Sequence, residues 1–450
     1  MERVDVVVVG AGSAGCVTAR RCAELGLKTL LLDRKSRELV GNKVCGDEVS
    51  KSHFDATGID YPMGDEVAGR IAGADVYPPS MTGEMKVRGW ADFDGWTLNR
   101  LRFGQRLLLE AVQAGVRVEC ECHVTEPLVQ GSRVVGVEYQ RLNTDQSVSV
   151  NAKLVVDASG FAAVIRNKID DEYVEKYVDS SDVALCHREI LRLSMPLAEP
   201  EVAHVYLGST FAPGGYAWVF PRGPNEVNAG VGIGGGRAGA SPRQLMLKFR
   251  EDNPLFYGSE VIHSGGGAVP VRRPLKSCVG NGVAFVGDAA LQANPIHGGG
   301  IGVGMRAATV LGEAAKEAIA RRDTSVRGLW SYNVRFMAGV GRRLASLEVF
   351  RRFLQAVDDD DLDFGFARRI LEPSDLILAN QGEGISLGPL AKLKRLRRGI
   401  GRPRLLVQLN RAVSLMKRMN RLYSDYPTRP EDLEHWNAEV LDLIERCRFS

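Results

Sequence analysis

A short β-branched strand that runs directly into a glycine-rich turn constrains the fold of this 450-residue chain more than any other feature. Residues 4–9 are mostly valine, which favours a buried strand, and the sequence GAGSAG follows at 10–15. An apolar helical stretch at 16–25 comes next, and a second strand at 28–32 ends at Asp33. This order of strand, GxGxxG, helix, strand and acid predicts an α/β fold with a Rossmann-like parallel sheet.

The glycines and the acid of this segment have separate roles. We expect Gly10 to permit the tight turn, Gly12 to let the backbone approach a pyrophosphate, and Gly15 to let helix and strand pack closely. The helix N-terminus would face the phosphates, and Asp33 would accept hydrogen bonds from ribose hydroxyls. Because the whole structural context of the motif is present, the segment predicts dinucleotide binding.

Later segments indicate which dinucleotide is bound. Residues 154–160 are typical of an apolar strand closed by Asp-Ala-Ser-Gly, and residues 283–290 of a strand that ends in Gly-Asp. Three glycines at 298–300 then precede a helical stretch at 301–320. In this order the segments resemble the FAD-binding domain of the flavoprotein reductase and hydroxylase superfamily, whose fold is p-hydroxybenzoate hydroxylase-like. The resemblance implies FAD as the cofactor.

Four further segments narrow the resemblance to one family. They contain a Cys-Gly pair, a Tyr-x-Trp-x-Phe-Pro strand, a glycine-rich strand and a Pro-Ile-His-Gly-Gly-Gly loop, at residues 43–51, 213–221, 265–270 and 295–300. With the C-terminal segments 350–355, 401–403 and 422–427, they resemble the archaeal geranylgeranyl reductase (digeranylgeranylglycerophospholipid reductase) family over nearly the whole chain. The resemblance implies an FAD-dependent oxidoreductase acting on CH–CH bonds. Its expected reaction is the hydrogenation of isoprenoid double bonds in archaeal ether-lipid precursors or in geranylgeranyl diphosphate.

The resemblance also implies the cofactor contacts. Besides Gly10 and Gly12 of the turn, the family's FAD contacts fall on Ala14, Gly15, Asp33, Cys45, Gly46, Arg100, Val124, Asp288, Gly300 and Ile301. Among these, the Asp288 carboxylate is expected to hold the ribityl chain, and the start of the 301–320 helix is expected to lie under the flavin pyrimidine. No metal site is expected, because the eight cysteines lack zinc or iron–sulfur spacing.

Catalytic candidates come from the strand and loops around the expected flavin. Alternation places Tyr216, Trp218 and Phe220 on one face of a strand; such residues are usually plain core, and only the resemblance assigns them to a substrate tunnel. The same resemblance puts Cys45 at the flavin, where its thiol is the first candidate proton donor, the alternative being a small packing residue. His297 is more typical of a residue that hydrogen-bonds its loop than of an acid. We take Cys45, Tyr216, Trp218 and His297 as the candidates.

Other functions stay open on the sequence. A related flavin reductase could act on quinone or chlorophyll side chains, and a flavin-dependent monooxygenase or halogenase would share the cofactor fold. A lipid-binding or electron-transfer flavoprotein is the non-enzymatic alternative. We expect an isoprenoid lipid as substrate and an external electron donor, which could be a ferredoxin, NAD(P)H or a deazaflavin.

The charge distribution suggests where the protein works. The net charge is only +3, yet residues 392–421 contain eleven Lys and Arg and no Asp or Glu. From Leu405 onward apolar residues recur with helical spacing, which predicts a helix with a cationic face that is either solvated or in contact with an anionic membrane. No apolar run reaches the roughly 18 residues of a membrane span, and the N-terminus is unlike a signal peptide. We expect a cytoplasmic protein, peripheral at the inner membrane face, without a nucleic-acid partner.

The expected domain division is discontinuous. The FAD-binding domain would comprise residues 1–58, 97–168 and 268–320, and a mostly antiparallel substrate-binding sheet would comprise 59–96 and 169–267. Residues 321–450 would form a helical C-terminal domain. An acidic run at 358–363 is similar to a diphosphate–magnesium motif, but its neighbours suit a helix N-terminus, so we expect it to be structural.

Overall fold

A mixed sheet built around the first strand forms the base of the fold. The computed structural model describes residues 2–90, 93–236, 239, 241–370, 372–374 and 397–449. The strands of this first sheet are β1 (Glu2–Val9), β2 (Thr29–Leu32), β8 (Arg117–Glu119), β9 (Cys122–Gln130), β10 (Arg133–Arg141), β11 (Gln146–Asp157), β17 (Val279–Gly280) and β18 (Val283–Phe285). β1 lies between β2 and β11 and is parallel to both. Its valines are buried on both faces, as expected for the centre of a parallel sheet.

Helices pack on the sheets and build the C-terminal part of the chain. They are α1 (Ser13–Glu24), α2 (Lys51–Thr57), α3 (Arg100–Gln113), α4 (Pro242–Asp252), α5 (Ile301–Ala320), α6 (Val326–Phe336), α7 (Arg342–Ala356), α8 (Asp359–Ala367), α9 (Pro403–Ser424) and α10 (Leu433–Glu445). α1 packs against both α3 and α5 beside the first sheet. The bounds of α5 confirm the helix predicted over 301–320.

A second sheet of seven strands follows the first. Its strands are β5 (Gly73–Tyr77), β6 (Met85–Arg88), β12 (Val183–Arg192), β13 (Val202–Leu207), β14 (Tyr216–Pro221), β15 (Glu226–Ile233) and β16 (Glu260–Pro270). Their order is β16–β12–β15–β14–β13–β5–β6, antiparallel except between β13 and β5. One face is covered by α4 through Met246 and Phe249. The other face carries the predicted aromatic residues and is free of α4.

A small third sheet connects the two larger ones. It consists of β3 (Glu48–Ser50), β7 (Gly95–Leu98) and β4 (Val67–Ile71), in that order. β3 contacts α5, which belongs to the first layer, and β4 contacts β14 of the second sheet. The α/β architecture with an antiparallel second sheet and a helical C-terminal region is confirmed, whereas the exact domain boundaries stay a prediction.

The acidic run has structural partners at the start of α8. The Asp358 carboxylate caps this helix by accepting from Asp361 N at 2.8 Å. The next carboxylate, Asp359, accepts from Ser209 N at 2.9 Å, and Asp363 accepts from Ser80 N at 3.0 Å. These contacts agree with the expected structural role and join α8 to loops of the second sheet. Within the described residues, no helix combines the length and apolar character that crossing a bilayer requires.

Candidate active site

The glycine turn between β1 and α1 has the shape predicted for it. Gly10 has a positive φ of 102°, and a Cβ there would lie 2.5 Å from the backbone oxygen of Ala158. A Cβ on Gly15 would lie 1.8 Å from Gly10 O, so any larger residue would push helix and strand apart. Gly12 differs, because no neighbouring atom of the described residues lies within 4 Å of its Cβ position. The turn is therefore closely packed at Gly10 and Gly15 and open at Gly12. This opening lies at the N-terminus of α1, where backbone N–H groups favour an anionic ligand.

Asp33 lies at the carboxyl end of β2 and closes this turn. Its Oδ2 accepts from Ala11 N at 2.6 Å and its Oδ1 from Lys35 N at 2.8 Å. Each carboxylate oxygen keeps a further lone pair for a ribose hydroxyl. Cys122 N donates to Asp33 O at 2.8 Å, which brings the start of β9 alongside. The predicted contact Val124 follows two residues later in β9, where its side chain is buried.

The Gly-Asp turn after β18 reaches the same cleft. A Cβ on Gly287 would lie 3.2 Å from the Ala14 side chain, so α1 and this turn are in close contact. Asp288 Oδ2 forms an ion pair with Lys43 Nζ at 2.9 Å, and this carboxylate raises the pKa of Lys43. A Cβ on Gly300 would lie 3.1 Å from Asp288 Oδ1, immediately before Ile301 begins α5. Residues almost 290 positions apart in the chain thus form one cleft.

Positive charge faces this cleft from α3. Arg100 is the first residue of that helix, and both terminal nitrogens lie 3.4 Å from Ser13 Oγ at the N-terminus of α1. Its Nε is buried and has no hydrogen-bond partner among the described residues. Arg100, the open backbone at Gly12 and the two helix N-termini fit the diphosphate of a dinucleotide, and Asp33 and Asp288 fit its hydroxyl-bearing sugars. The residues present therefore suit FAD.

The predicted aromatic strand is β14, which belongs to the second sheet. Trp218 and Phe220 pack in one cluster with Tyr216 against it, whereas Ala217 and Val219 belong to the core under α4. The predicted alternation is confirmed. Glycines make room for the rings on the neighbouring β15. A Cβ on Gly230 would lie 2.3 Å from the Trp218 ring.

A polar network fastens the Cys45 loop to this aromatic face. Asn228 of β15 donates through Nδ2 to Cys45 O at 2.8 Å and to Asp47 Oδ2 at 2.9 Å. Its Oδ1 accepts from Trp218 Nε1 at 3.1 Å. Arg188 Nε also donates to Cys45 O, at 3.2 Å. The loop residue Gly46 packs on Phe220, whose ring would lie 3.2 Å from a Cβ at that position.

Sequence reasoning missed Asn228 and Arg188. Both are buried, and the next residues along the same strand faces are small or apolar, namely Gly230 and Gly232 beside Asn228 and Cys186 and Ile190 beside Arg188. A buried polar residue in a sheet needs a hydrogen-bond partner, so an asparagine inside an apolar strand was a usable signal. Its partner could not be identified, because the Cys45 loop is 183 residues away in sequence.

The Cys45 loop thus spans the gap between the two halves of the site. Lys43, at one end, pairs with Asp288 in the cofactor cleft. Cys45 and Asp47, at the other end, bind Asn228 of the second sheet. Burial raises the pKa of Asp47, although Arg100, Arg188 and Arg222 oppose the rise.

The titratable side chains near the loop differ in acidity. Burial, together with the charges of Cys186, Glu48 and Cys45, raises the pKa of Tyr216 well above its ordinary value. The Tyr216 hydroxyl donates to His297 O at 2.7 Å. Burial is the main cause that raises the pKa of Cys186 to about 12, and Cys45 adds to the rise. Burial alone raises the pKa of Glu48 to about 7.

Two histidines flank the start of α5. His297 is exposed, and its Nδ1 accepts from Gly299 N at 3.2 Å, a bond within its own loop. Burial, assisted by Arg306, Arg343 and His297, lowers the pKa of His53 to about 3. His53 packs so closely on α5 that a Cβ on Gly302 would lie 2.1 Å from its ring. The loop bond of His297 agrees with the role that the sequence favoured, while the catalytic roles of Cys45, Tyr216, Trp218 and His297 stay predictions.

Comparison with protein families defines the class. Residues 5–167 match the family described as FAD dependent oxidoreductase, and residues 182–269 match the geranylgeranyl reductase catalytic domain. The first match contains the glycine turn, Asp33 and Arg100, and the second contains the aromatic strand and Asn228. The chain is an FAD-dependent oxidoreductase.

Individual relatives define the family. The chain is 34% identical to the digeranylgeranylglycerophospholipid reductase of Sulfolobus acidocaldarius, across 98% of this chain and 97% of the relative. It belongs to the digeranylgeranylglycerophospholipid reductase family, as its motifs indicated. A solved structure from Thermoplasma acidophilum, described as geranylgeranyl bacteriochlorophyll reductase-like, is 25% identical, covers 92% of this chain and 100% of that chain, and has a TM-score of 0.77.

A more distant solved structure shares the fold alone. The myxobacterial chondrochloren halogenase is 16% identical, covers 94% of this chain and 97% of its own, and has a TM-score of 0.66. This likeness reflects the common flavoprotein architecture and carries no information about substrate.

Proposed function

We propose that this enzyme reduces the C=C bonds of geranylgeranyl chains in ether-lipid precursors. The observation that carries the proposal is the Cys45 loop, which joins the FAD cleft at Asp288 to the aromatic face at Trp218. An apolar prenyl chain lying along Tyr216, Trp218 and Phe220 would be brought towards the cofactor by this arrangement. The relatives named as digeranylgeranylglycerophospholipid reductases support the same substrate class.

The chain's own residues would bind and orient both partners. Gly12 and Arg100 would hold the FAD diphosphate, and Asp33 would bind a ribose. Asp288 would bind the ribityl chain, and Gly300 with Ile301 would contact the flavin ring. When bound, the reduced flavin supplies a hydride to the alkene. The aromatic face excludes water and orients the prenyl chain, while Cys45 and Tyr216 border the reaction space. The Tyr216–His297 hydrogen bond keeps the glycine-rich loop closed against β14.

Mass spectrometry on anaerobic reactions tests the proposal. Purified enzyme reduced with dithionite is incubated with geranylgeranyl diphosphate and, separately, with a digeranylgeranyl phospholipid. We expect stepwise addition of hydrogen pairs, and the faster substrate identifies whether reduction precedes or follows lipid assembly. Unchanged masses with normal flavin reoxidation would contradict the proposal and direct the search to quinone side chains.

Oxygen-dependent NAD(P)H consumption would instead indicate a monooxygenase. Replacing dithionite with NADPH or reduced ferredoxin in the same assay identifies the donor.

We also propose that α9 contacts an anionic membrane surface. Its exposed face carries Arg404, Arg418 and Arg421, and the neighbouring apolar residues Val407 and Ile400 are 68% and 73% exposed. Basic residues near an anionic bilayer contribute about 1 kcal/mol each. Three further basic residues of the predicted patch, Lys392, Lys394 and Arg395, lie outside the described residues.

Vesicle sedimentation tests this contact. The wild type should bind phosphatidylglycerol vesicles at low salt and be released as salt rises. The double variant Arg404→Gln/Arg418→Gln should bind at least tenfold more weakly. The matched control Arg243→Gln/Lys248→Gln removes two exposed charges from α4 and should bind like the wild type. Salt-insensitive binding, or equal loss in both double variants, would contradict the proposal.

A further inference from the structure

Glu48 faces the reaction space from the strand that follows the Cys45 loop. In β3 it pairs with Thr97 of β7, while its neighbour Val49 pairs with Trp96 and is buried in the main core. Successive side chains in a strand point to opposite faces. Glu48 and Thr97 therefore point away from that core, and the Glu48 side chain is half-buried.

The space that Glu48 enters is shared with candidate catalytic groups. Cys186 of β12 lies beside Tyr216 of β14, because both pair with Gly232 of β15 and a Cβ on Gly232 would lie 3.2 Å from Cys186 Sγ. The Cys45 loop is bound to the same face of the sheet through Asn228, and β3, which carries Glu48, contacts α5. Glu48 and Cys45 also act electrostatically on the Tyr216 hydroxyl, so these side chains border one space between the second sheet and α5. Tyr216 itself binds His297 O, which closes one side of this space.

The Glu48 carboxyl stands apart from the polar network of the neighbouring loop. Among the described residues, no hydrogen bond or ion pair reaches it, unlike the neighbouring Asp47 carboxylate, which binds Asn228. A carboxyl group without a protein partner at the border of an apolar space prefers its neutral, protonated form. It then has one O–H to donate.

Tyr216, Cys186 and His53, three of the other titratable groups near this space, are poorer acids at neutral pH. Burial raises the pKa of Tyr216 far above neutral and that of Cys186 to about 12, whereas burial raises that of Glu48 only to about 7. On α2, burial lowers the pKa of His53 to about 3, so this ring carries no acidic proton. The positive charge of Arg306 on α5 contributes to this lowering of the His53 pKa. A general acid works best when its pKa is near the operating pH.

We propose that Glu48 is the acid that protonates the substrate alkene. This role rests on the proposed prenyl reductase function. The C=C π bond breaks, one carbon receives the hydride that reduced flavin supplies, and the other carbon forms its C–H bond with the Glu48 proton. The alkene gains two electrons, the flavin loses two, and the resulting carboxylate recovers its proton from water. Cys45 then lines the space beside the alkene, and its thiol is the competing acid.

Single-turnover kinetics with Glu48→Gln tests the assignment. Glutamine keeps the size of the side chain but is no acid. With dithionite-reduced enzyme and saturating geranylgeranyl lipid, the rate constant for flavin reoxidation should fall about 100-fold or more, the usual range for loss of a general acid. The wild-type rate should decline as pH rises through about 7 because the acid is then deprotonated, and this decline should vanish in the variant. Glu48→Asp should recover part of the rate.

A second readout reports on the carboxyl without turnover. Infrared difference spectra of the FAD-free protein should show a protonated carboxyl band that titrates near pH 7 and is missing in Glu48→Gln. Glu38→Gln, at an exposed position in a short 3-10 helix, is the matched control and should retain the band, the rate and the pH profile. If Glu48→Gln loses FAD, the wild-type pH profile and this titration still decide the question.

The possible results distinguish a wrong assignment of the acid from a wrong proposed function. Wild-type reduction of prenyl chains with an unimpaired Glu48→Gln variant would overturn the role of Glu48 and leave the function intact. The same holds if Cys45→Ser removes the pH dependence and Glu48→Gln retains it. A wild-type enzyme that leaves every prenyl chain unreduced would overturn the proposed function, and the alkene-protonating role with it.

Discussion

At the scale of single residues, Gly230 is a requirement of the aromatic face. A Cβ at this position would lie 2.3 Å from the Trp218 ring, so Gly230→Ala must displace a buried indole. We expect a loss of about 1–3 kcal/mol in the free energy of unfolding, the usual range for overpacking. Gly267→Ala is the matched control in the same sheet, because in the part of the chain that the structure describes no neighbouring atom lies within 4 Å of its Cβ position. Chemical denaturation measures both, and equal stabilities would show that the ring accommodates the methyl group.

The residue scale also shows what sequence reasoning can predict. Gly10, Gly12 and Gly15 were assigned separate steric roles, and the structure gives each the expected surroundings, since those roles depend on backbone geometry within one short segment. The environment of Glu48 depends on segments far apart in the chain, and its acidity on burial. Neither could be derived from the local pattern.

At the scale of elements, the Cys45 loop depends on one side chain of β15. Asn228→Ala would leave the buried Asp47 Oδ2 with only a longer contact to Arg222, and would leave Trp218 Nε1 unpaired. Each buried polar group left without a partner costs about 1–3 kcal/mol. We expect faster hydrogen exchange in the loop and weaker FAD binding, measured by exchange mass spectrometry and by flavin titration. Asn225→Ala, at an exposed position before β15, should change neither. Unaltered loop protection in Asn228→Ala would contradict the assignment.

Element predictions succeeded where periodicity was local. The helix over 301–320 and the alternation from Tyr216 to Phe220 were recovered because each is encoded in consecutive residues. The length of β11 was underestimated. Its first half pairs with β10 in a hairpin, and the polar, exposed residues there lack the apolar pattern that predicts a buried strand. Packing between elements, such as the fit of Gly46 on Phe220, requires the assembled fold.

At the scale of the whole molecule, buried ion pairs attach the helical region to the strands. Glu348 of α7 is fully buried and accepts from Arg273 N at 2.9 Å and from Arg352 Nε at 3.0 Å. The Asp182 carboxylate, next to β12, pairs with Arg351 Nη2 at 2.6 Å. Burial disfavours the Glu348 charge, but Arg273 and Arg352 outweigh it and lower the pKa of Glu348 below its ordinary value. The helical region is therefore held to the catalytic sheets through charges that must remain ionised.

This linkage predicts how stability depends on pH. A carboxyl group whose pKa is lowered by folding contributes stability that is fully present above its unfolded pKa, about 4.3, and is lost as pH falls towards the folded value. The free energy of unfolding should therefore drop below about pH 4.3, and Glu348→Gln should flatten that drop while costing about 3–5 kcal/mol at pH 7, because Arg273 and Arg352 lose their buried partner. Glu434→Gln is the control, since this carboxylate pairs with Lys276 but is 72% exposed. It should cost less than about 1 kcal/mol. Denaturant titrations from pH 3 to 8 measure both variants. Equal costs would mean that the helical region is held by apolar packing alone, and that the buried charges at its base are incidental to its attachment.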